Sequence, residues 1–345
     1  MIANRYGRRH LFPSDTHTIS LYPAGWAVSM AGDMADRSDD AAIERKEAVV
    51  IVNPTAHNAP KRKRLDEADE WLREQGWQTQ WLETAGPGDA ITMAAAAAAR
   101  RVPLLFVCGG DGTLSEAANG LVGSDTALAV IPGGTVNLWA REIGVLKKPL
   151  GAVRLAVEGK RRLIDLGKAG ERYFMLMAGF GIDASVTHKV SHRIKGRVGA
   201  LAYLIAAVRE AVTYGGTTAT IRLDGEERTA EVMMLLAANT RNYAGLAKIA
   251  SDAVVDDGLL DVCVYEGRGR FDVMPHAVRT LLRLHRRSKK VLYRQVKTLE
   301  MRWERPVPAQ LDGDALHDSP SVITVAPAAL WVAVPRGLKS QLFSR

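Results

Sequence analysis

The chain has 345 residues, 47% of them hydrophobic and 24% charged, with a formal net charge of +8 and two cysteines. That length exceeds one usual domain of roughly 100–200 residues, so two domains are expected, and the composition is that of a folded protein rather than a disordered one. Cys108 and Cys263 stand far apart with no second Cys or His at metal spacing, which argues against a disulfide framework or a structural zinc site and for a reducing cytoplasm. The positive charge admits nucleic acid, anionic lipid or a phosphate-rich substrate. The longest apolar run, 200–208, is about half the ~18–20 residues a membrane span needs.

Residues 1–46 hold an early basic patch, an apolar part broken by Pro23, and then Asp33, Asp36, Asp39 and Asp40. That order makes a poor signal peptide and reads as a mobile extension. From residue 47 the pattern becomes regular. The β-branched run 48–52, stopped by Asn53-Pro54, predicts a buried strand. Residues 61–75 place Leu65, Ala68 and Leu72 on one face of a helix that ends at Gly76. Alternation over 77–82 predicts a strand, the alanine-rich 88–100 a helix, and 102–108 a second buried strand. Helix 114–121, strand 127–131 and helix 136–143 follow. Such alternation predicts right-handed βαβ units in a parallel sheet, with ligands at the carboxyl ends of the strands.

Beyond Pro149 the runs shorten: 161–166, 172–178, 219–223, 231–237, 260–265, 295–302 and 321–326 predict an antiparallel sheet or sandwich, and Asp224-Gly225 is a hairpin signal. Helical insertions are expected at 199–211 and 270–285. The domains are therefore 47–148, α/β, and 149–334, β-rich, with a tail at 335–345.

The stretch Gly109-Gly-Asp-Gly-Thr113 ends a buried strand and opens a helix. Glycine lets the backbone approach a ligand, and the helix start offers unpaired N–H groups to an anion, so phosphate is the natural guest. Asp111 beside phosphate calls for a bridging magnesium ion, which suggests a Mg-nucleotide; the alternative is an Asp that caps the following helix. Basic clusters at 188–197 and 279–290 adjoin apolar helical stretches, an arrangement that suits either anionic lipid or a solvated helix face. His188, His192 and His285 show no zinc or triad pattern and read as surface residues. No aromatic-rich basic motif supports nucleic acid as a partner.

Six motifs in order, Asn53-Pro-Thr55, Gly109-Gly-Asp-Gly-Thr113 with Glu116 and Asn119-Gly120, Pro132-Gly-Gly-Thr-Val-Asn137, Gly179-Phe-Gly-Ile-Asp183, Asp257-Gly-Leu-Leu-Asp261 and Asp312-Gly-Asp314, resemble the diacylglycerol kinase catalytic-domain family, in its soluble bacterial lipid kinase form. The resemblance implies a Rossmann-like α/β domain of the NAD kinase and phosphofructokinase kind, a C-terminal antiparallel β-sandwich domain, and transfer of the γ-phosphoryl of ATP, with Mg²⁺, to the hydroxyl of a diacylglycerol-like lipid in phospholipid metabolism. It implies that Asn53, Pro54, Thr55, Ala56, His57, Thr84, Gly110, Asp111, Gly112, Thr113, Leu114, Ser115, Glu116 and Thr135 hold ATP. It likewise implies that Val254, Asp257 and Leu259 hold a second, structural Mg²⁺, the alternative being a plain turn, and that Asp314 is the base.

Two positions depart from the family pattern. Asp314 stands where relatives have Glu, and Leu138 where many have Asp. A shorter carboxylate matters because misplacement of about 1 Å can cost on the order of a hundredfold in rate. An NAD-kinase-like enzyme on a soluble substrate, or a catalytically weak lipid or nucleotide sensor, therefore stays open. The implied protein is cytoplasmic and peripherally attached to an anionic membrane, and a homodimer is admitted.

Overall fold

The computed structural model describes residues 45–145, 148–189, 214–243, 245, 247–338 and 340–344. The expected extension 1–46, apart from its last two residues, the helix at 199–211 and most of the basic cluster 188–197 lie outside the described residues.

The first strands are β1 (Glu47–Val52), β2 (Gln78–Glu83), β3 (Leu104–Gly109) and β4 (Ala127–Pro132). They are joined by helices α1 (Arg62–Glu74), α2 (Asp89–Ala99) and α3 (Asp111–Leu121). All four strands are parallel, in the order β2-β1-β3-β4. β1, β3 and β4 are covered on both faces, which is why their sequences are continuous apolar runs rather than alternating ones. β2, at the edge, alternates between half-buried and exposed residues. The chain leaves β1 toward β2 and then crosses back to β3, so the order reverses between β1 and β3. At such a switch point the loops diverge and open a crevice at the carboxyl ends.

Two short helices, α4 (Leu138–Glu142) and α5 (Pro149–Val157), lead out of this region. The second is a departure from expectation: Pro149 starts a helix rather than ending the helical region, because proline's fixed φ suits a first turn. Likewise α3 begins at Asp111, three residues earlier than expected, so most of the glycine stretch is itself the first helical turn.

The remaining strands are antiparallel. β5 (Lys160–Ala169) pairs with β6 (Arg172–Phe174) and with the long β17 (Val322–Val334). A sheet of β7 (Met177–Gly181), β9 (Glu226–Ala238), β8 (Thr217–Leu223) and β14 (Thr298–Trp303) leads back to β17, which touches β4 at Val332 and Leu128. β12 (Leu260–Glu266) and β13 (Val291–Val296) extend from β9, while β15 (Ala309–Leu311) and β16 (Asp314–Leu316) form a hairpin on β7. β10 (Asn242–Tyr243) and β11 (Ala247–Lys248) pair as a separate short antiparallel ribbon. Helix α6 (Ile182–Lys189) follows β7, and α7 (Arg270–Leu281) follows β12. Parallel strands thus give way to an antiparallel, sandwich-like region, as expected.

Two expected strands divide. Run 172–178 splits into β6 and β7, and run 295–302 splits at Lys297 into β13 and β14. At each break an aspartate captures the backbone amides. Asp312 accepts the N–H groups of Met175, Leu176 and Met177 at 2.7–2.9 Å, and Asp224 those of Lys297 and Thr298 at 2.8–3.2 Å.

Two cores result. One joins β1, β3 and β4 to α1, α2 and α3, and also takes Leu330, Val332 and Val334 of β17 and Leu342. The other fills the antiparallel region around Phe174, Phe180, Leu235 and Val262. His285, expected at the surface, is 1% exposed, with Nε2 2.9 Å from the Ile249 carbonyl and its ring stacked on Tyr265. Burial holds its pKa below the usual value.

Candidate active site

Three loops meet at the switch point. Asn53, just past β1, donates its N–H to the Cys108 carbonyl at 2.9 Å and its Nδ2 to Thr113 Oγ1 at 3.0 Å. Its Oδ1 accepts from the Thr55 N–H and hydroxyl, which winds residues 53–56 into a tight turn. Asn58 carries that turn across to the third loop, donating its N–H to Gly133 O and its Nδ2 to Gly134 O, both at 2.9 Å. The second and third loops touch directly. A Cβ added at Gly134 would stand 2.5 Å from Gly110 Cα, so the approach is closed to any side chain. Thr84 lies alongside, its N–H on the Val52 carbonyl at 2.9 Å.

The predicted nucleotide residues divide by role. Asn53, Thr55, Thr84, Gly110, Gly112 and Thr135 gather at these loops, and Pro54, Ala56 and His57 belong to the same turn. Leu114 is 2% exposed and packs in the core, so it can offer only its backbone. Ser115 turns away and donates to Asp312 Oδ2 at 2.7 Å. Glu116 accepts the Gly88 N–H at 3.0 Å, which ties α3 to the start of α2. Gly110 caps α3 without a side chain, so the amides of its first turn keep their capacity for an anion.

Asp111 does not cap the helix it begins. Its Oδ1 faces the Trp139 N–H at 3.4 Å, at the start of α4. Burial pushes its carboxyl up, opposed by the amides of Leu138, Trp139 and Asn137 and by Arg141. Leu138, half-buried against the core, adds no carboxylate here.

The antiparallel region supplies the other wall. Asp312 and Gly313 form the turn between β15 and β16 with φ of 50° and 89°, the left-handed pair that an Asp-Gly hairpin adopts. Burial pushes the Asp312 carboxyl up, yet three amides and the Ser115 hydroxyl all donate to it, an arrangement that suits the ionised form. The turn is braced a second time by Gln310, which accepts the Gly313 N–H at 2.6 Å and donates to Asp183 at 2.7 Å; Tyr243 donates to the same carboxylate. So held, Asp314 reaches the glycine loop at the start of α3: a Cβ on Gly112 would stand 3.9 Å from its Oδ1.

Val254, Asp257 and Leu259 lie elsewhere, on the turn into β12. The Asp257 carboxyl accepts the Leu259 N–H at 3.0 Å and is pushed up by burial and by neighbouring Asp165 and Asp256. Asp165, missed in the sequence, is 3% exposed and clamps the turn through Gly258 N at 2.6 Å and Ala328 N at 2.7 Å. Arg162 neutralises Asp256 at 2.5 Å. Among the described residues no three His, Cys, Asp or Glu converge on one metal position. One carboxylate with two carbonyls remains a hard-oxygen set that fits Mg²⁺, and crowded carboxylates favour a cation.

Asn58, Asp165 and Gln310 are the structural residues the sequence hid, and Asp312, seen there only as part of a motif, has a bracing role the sequence did not show. Their partners lie far along the chain; the one local signal was Gln310, a polar residue inside an otherwise apolar short strand.

Residues 47–169 match the diacylglycerol kinase catalytic domain, and residues 177–334 the YegS C-terminal NAD kinase beta sandwich-like domain. Together with the fold they define an enzyme that transfers phosphoryl groups to an alcohol acceptor. The chain thus carries a diacylglycerol kinase catalytic domain followed by a YegS-type C-terminal domain. It is similar to a diacylglycerol kinase of Bacillus subtilis (strain 168), 29% identical over 78% of this chain and 90% of that one. To a diacylglycerol kinase of Staphylococcus carnosus (strain TM300) it is 28% identical over 86% and 97%. Two crystal structures from Bacillus anthracis str. Sterne share the fold. One has a TM-score of 0.75 at 22% identity, covering 88% of this chain and 100% of that one. The other, of a diacylglycerol kinase, has a TM-score of 0.67 at 21% identity, covering 86% and 99%.

Proposed function

We propose that this enzyme is a lipid kinase that moves the γ-phosphoryl of ATP to the hydroxyl of a diacylglycerol-like acceptor in phospholipid metabolism, working from the cytoplasm at an anionic membrane surface. Domain 47–148 would hold the nucleotide and domain 149–334 the lipid. One observation carries the reading: Asp314, from the antiparallel region, stands beside Gly112 at the start of α3, where the amides suit a phosphate.

The glycine contact between residues 110 and 134 makes a cradle that a single Cβ would fill, which fits a triphosphate lying against bare backbone. The α3 amides and the loops at Asn53, Thr84 and Thr135 would bind and orient it. Asp314 would take the proton from the attacking hydroxyl, and the Asp312, Gln310 and Asp183 bonds hold it in place for that transfer. Mg²⁺, when bound, offsets charge between carboxylate and phosphate oxygens; Asp111 would hold it, and Val254, Asp257 and Leu259 the structural ion.

The test is incubation with labelled ATP and a lipid extract, comparing wild type with Asp111→Asn. Labelled lipid that falls at least a hundredfold in the variant supports the reading. ATP binding without labelled lipid would instead make this a sensor, and labelled NAD would make it a soluble-substrate kinase.

A further inference from the structure

Among the described residues seven large hydrophobic side chains are exposed, and six of them, Phe271, Met274, Val278, Leu281, Leu282 and Leu284, lie on α7 or just after it. Their arrangement is not random. At about 100° per residue, Met274, Val278, Leu281 and Leu282 fall on one stripe, while Val273, His276 and Thr280 fall on the opposite side. That opposite side faces the protein: Val273 and His276 are buried, His276 Nε2 lies 2.8 Å from the Glu266 carbonyl, and the Thr280 hydroxyl is 3.0 Å from that of Tyr265. The helix is thus fastened through Val273, His276 and Thr280, with its apolar stripe, 48–64% exposed, turned outward.

Cations border the stripe. Arg286 pairs with Asp252 and Lys290 with Asp272, but among the described residues no salt bridge engages Arg279, Arg283, Arg287 or Lys289. We propose that α7 is the element by which this enzyme lies on an anionic bilayer. Met274, Val278, Leu281 and Leu282 enter the boundary between headgroups and acyl chains, while the four cations meet lipid phosphates. A second copy of the chain is a poorer occupant. A twofold contact would bring the same cations face to face, and a stripe of roughly 12 by 10 Å is a fraction of the ~800 Å² per partner of a stable dimer. The inference rests on the lipid-kinase reading only in that such an acceptor resides in a bilayer.

The experiment is sedimentation of the full-length protein with vesicles of phosphatidylcholine alone or mixed with phosphatidylglycerol. Wild type is expected to bind the anionic vesicles at least tenfold more tightly than the neutral ones. Met274→Gln, Val278→Gln and Leu281→Gln together should weaken that binding at least tenfold. Replacing Arg279, Arg283 and Arg287 by Gln should cost about fivefold per charge at low salt and remove the preference for phosphatidylglycerol. All the changed side chains are exposed, so thermal melting should stay as in wild type, and turnover of a short-chain, soluble diacylglycerol should be unchanged. Wild-type binding by the apolar variant overturns the proposal. So does a wild-type dimer, seen by light scattering, that this variant converts to monomer with vesicle binding intact. Vesicle binding that follows these residues in a protein unable to phosphorylate any lipid sinks the lipid-kinase reading and leaves the docking face standing.

Discussion

Two hairpins of this molecule turn on the same dipeptide and do different things with it. Asp224-Gly225 joins β8 to β9, and Asp312-Gly313 joins β15 to β16; in both, the two residues have positive φ. In both, too, the aspartate reaches out of its own turn and pins a bend in another strand, at Lys297 and at Leu176 respectively. The difference lies in burial. Asp224 is exposed, whereas Asp312 is 8% exposed, tied to Ser115 on α3, and two residues from a carboxylate at the glycine loop. One turn therefore fastens a surface bend, and the other fixes the geometry between the two regions that make the site.

The sharpest way to test the contrast is at the residue the second turn presents. Asp314→Ala should lower kcat by about 10²–10⁴ with unchanged urea stability, and Asp314→Glu should keep or raise activity. A wild-type kcat in the alanine variant would remove the base from the scheme. Next in size, Asp312→Ala strands three amides and a hydroxyl in the interior and should cost about 3 kcal/mol or more, read from the urea midpoint. Asp224→Ala, whose freed amides can meet water, should cost about 1 kcal/mol; equal losses at the two turns would break the comparison. Gly134→Ala drives a Cβ to 2.5 Å from the Gly110 backbone and should destabilise by roughly 1–3 kcal/mol while raising the KM for ATP.

The smallest effect concerns pH. Burial lowers the His285 pKa below its ordinary 6.5, so below that pH the unfolded chain takes up a proton that the folded one resists. His285 therefore contributes full stability above about pH 6.5 and loses it as pH falls through that value and on toward the folded-state pKa. Melting curves at pH 7.5 and 5.5 should show a larger drop for wild type than for His285→Gln.

These contrasts also mark how far the sequence could be read. β1, β3 and β4 were legible because burial on both faces writes an unbroken apolar run, and their loops because glycine and proline punctuate them. The Asp224-Gly225 turn was legible for the same local reason. What the aspartates hold was not, since the amides at 175–177 come from a strand more than a hundred residues earlier. Run 172–178 is apolar enough for one strand and breaks only because Asp312 takes its N–H groups. Asp165 was hidden in a strand-like run, where a buried carboxylate looks like an outward-facing residue until the turn at Gly258 folds over it. The Asp111 carboxylate was read for its charge, and its lean toward the start of α4 depends on how the glycine loops stack.

The long last strand has a consequence for biosynthesis. Leu330, Val332 and Val334 of β17 pack into the core of the first four strands and pair along β5. A nascent chain leaving the ribosome therefore cannot seal the half built on β1–β4 until β17 has been translated. Truncation before residue 330 should leave that half without a wall, a ready substrate for chaperones and proteases.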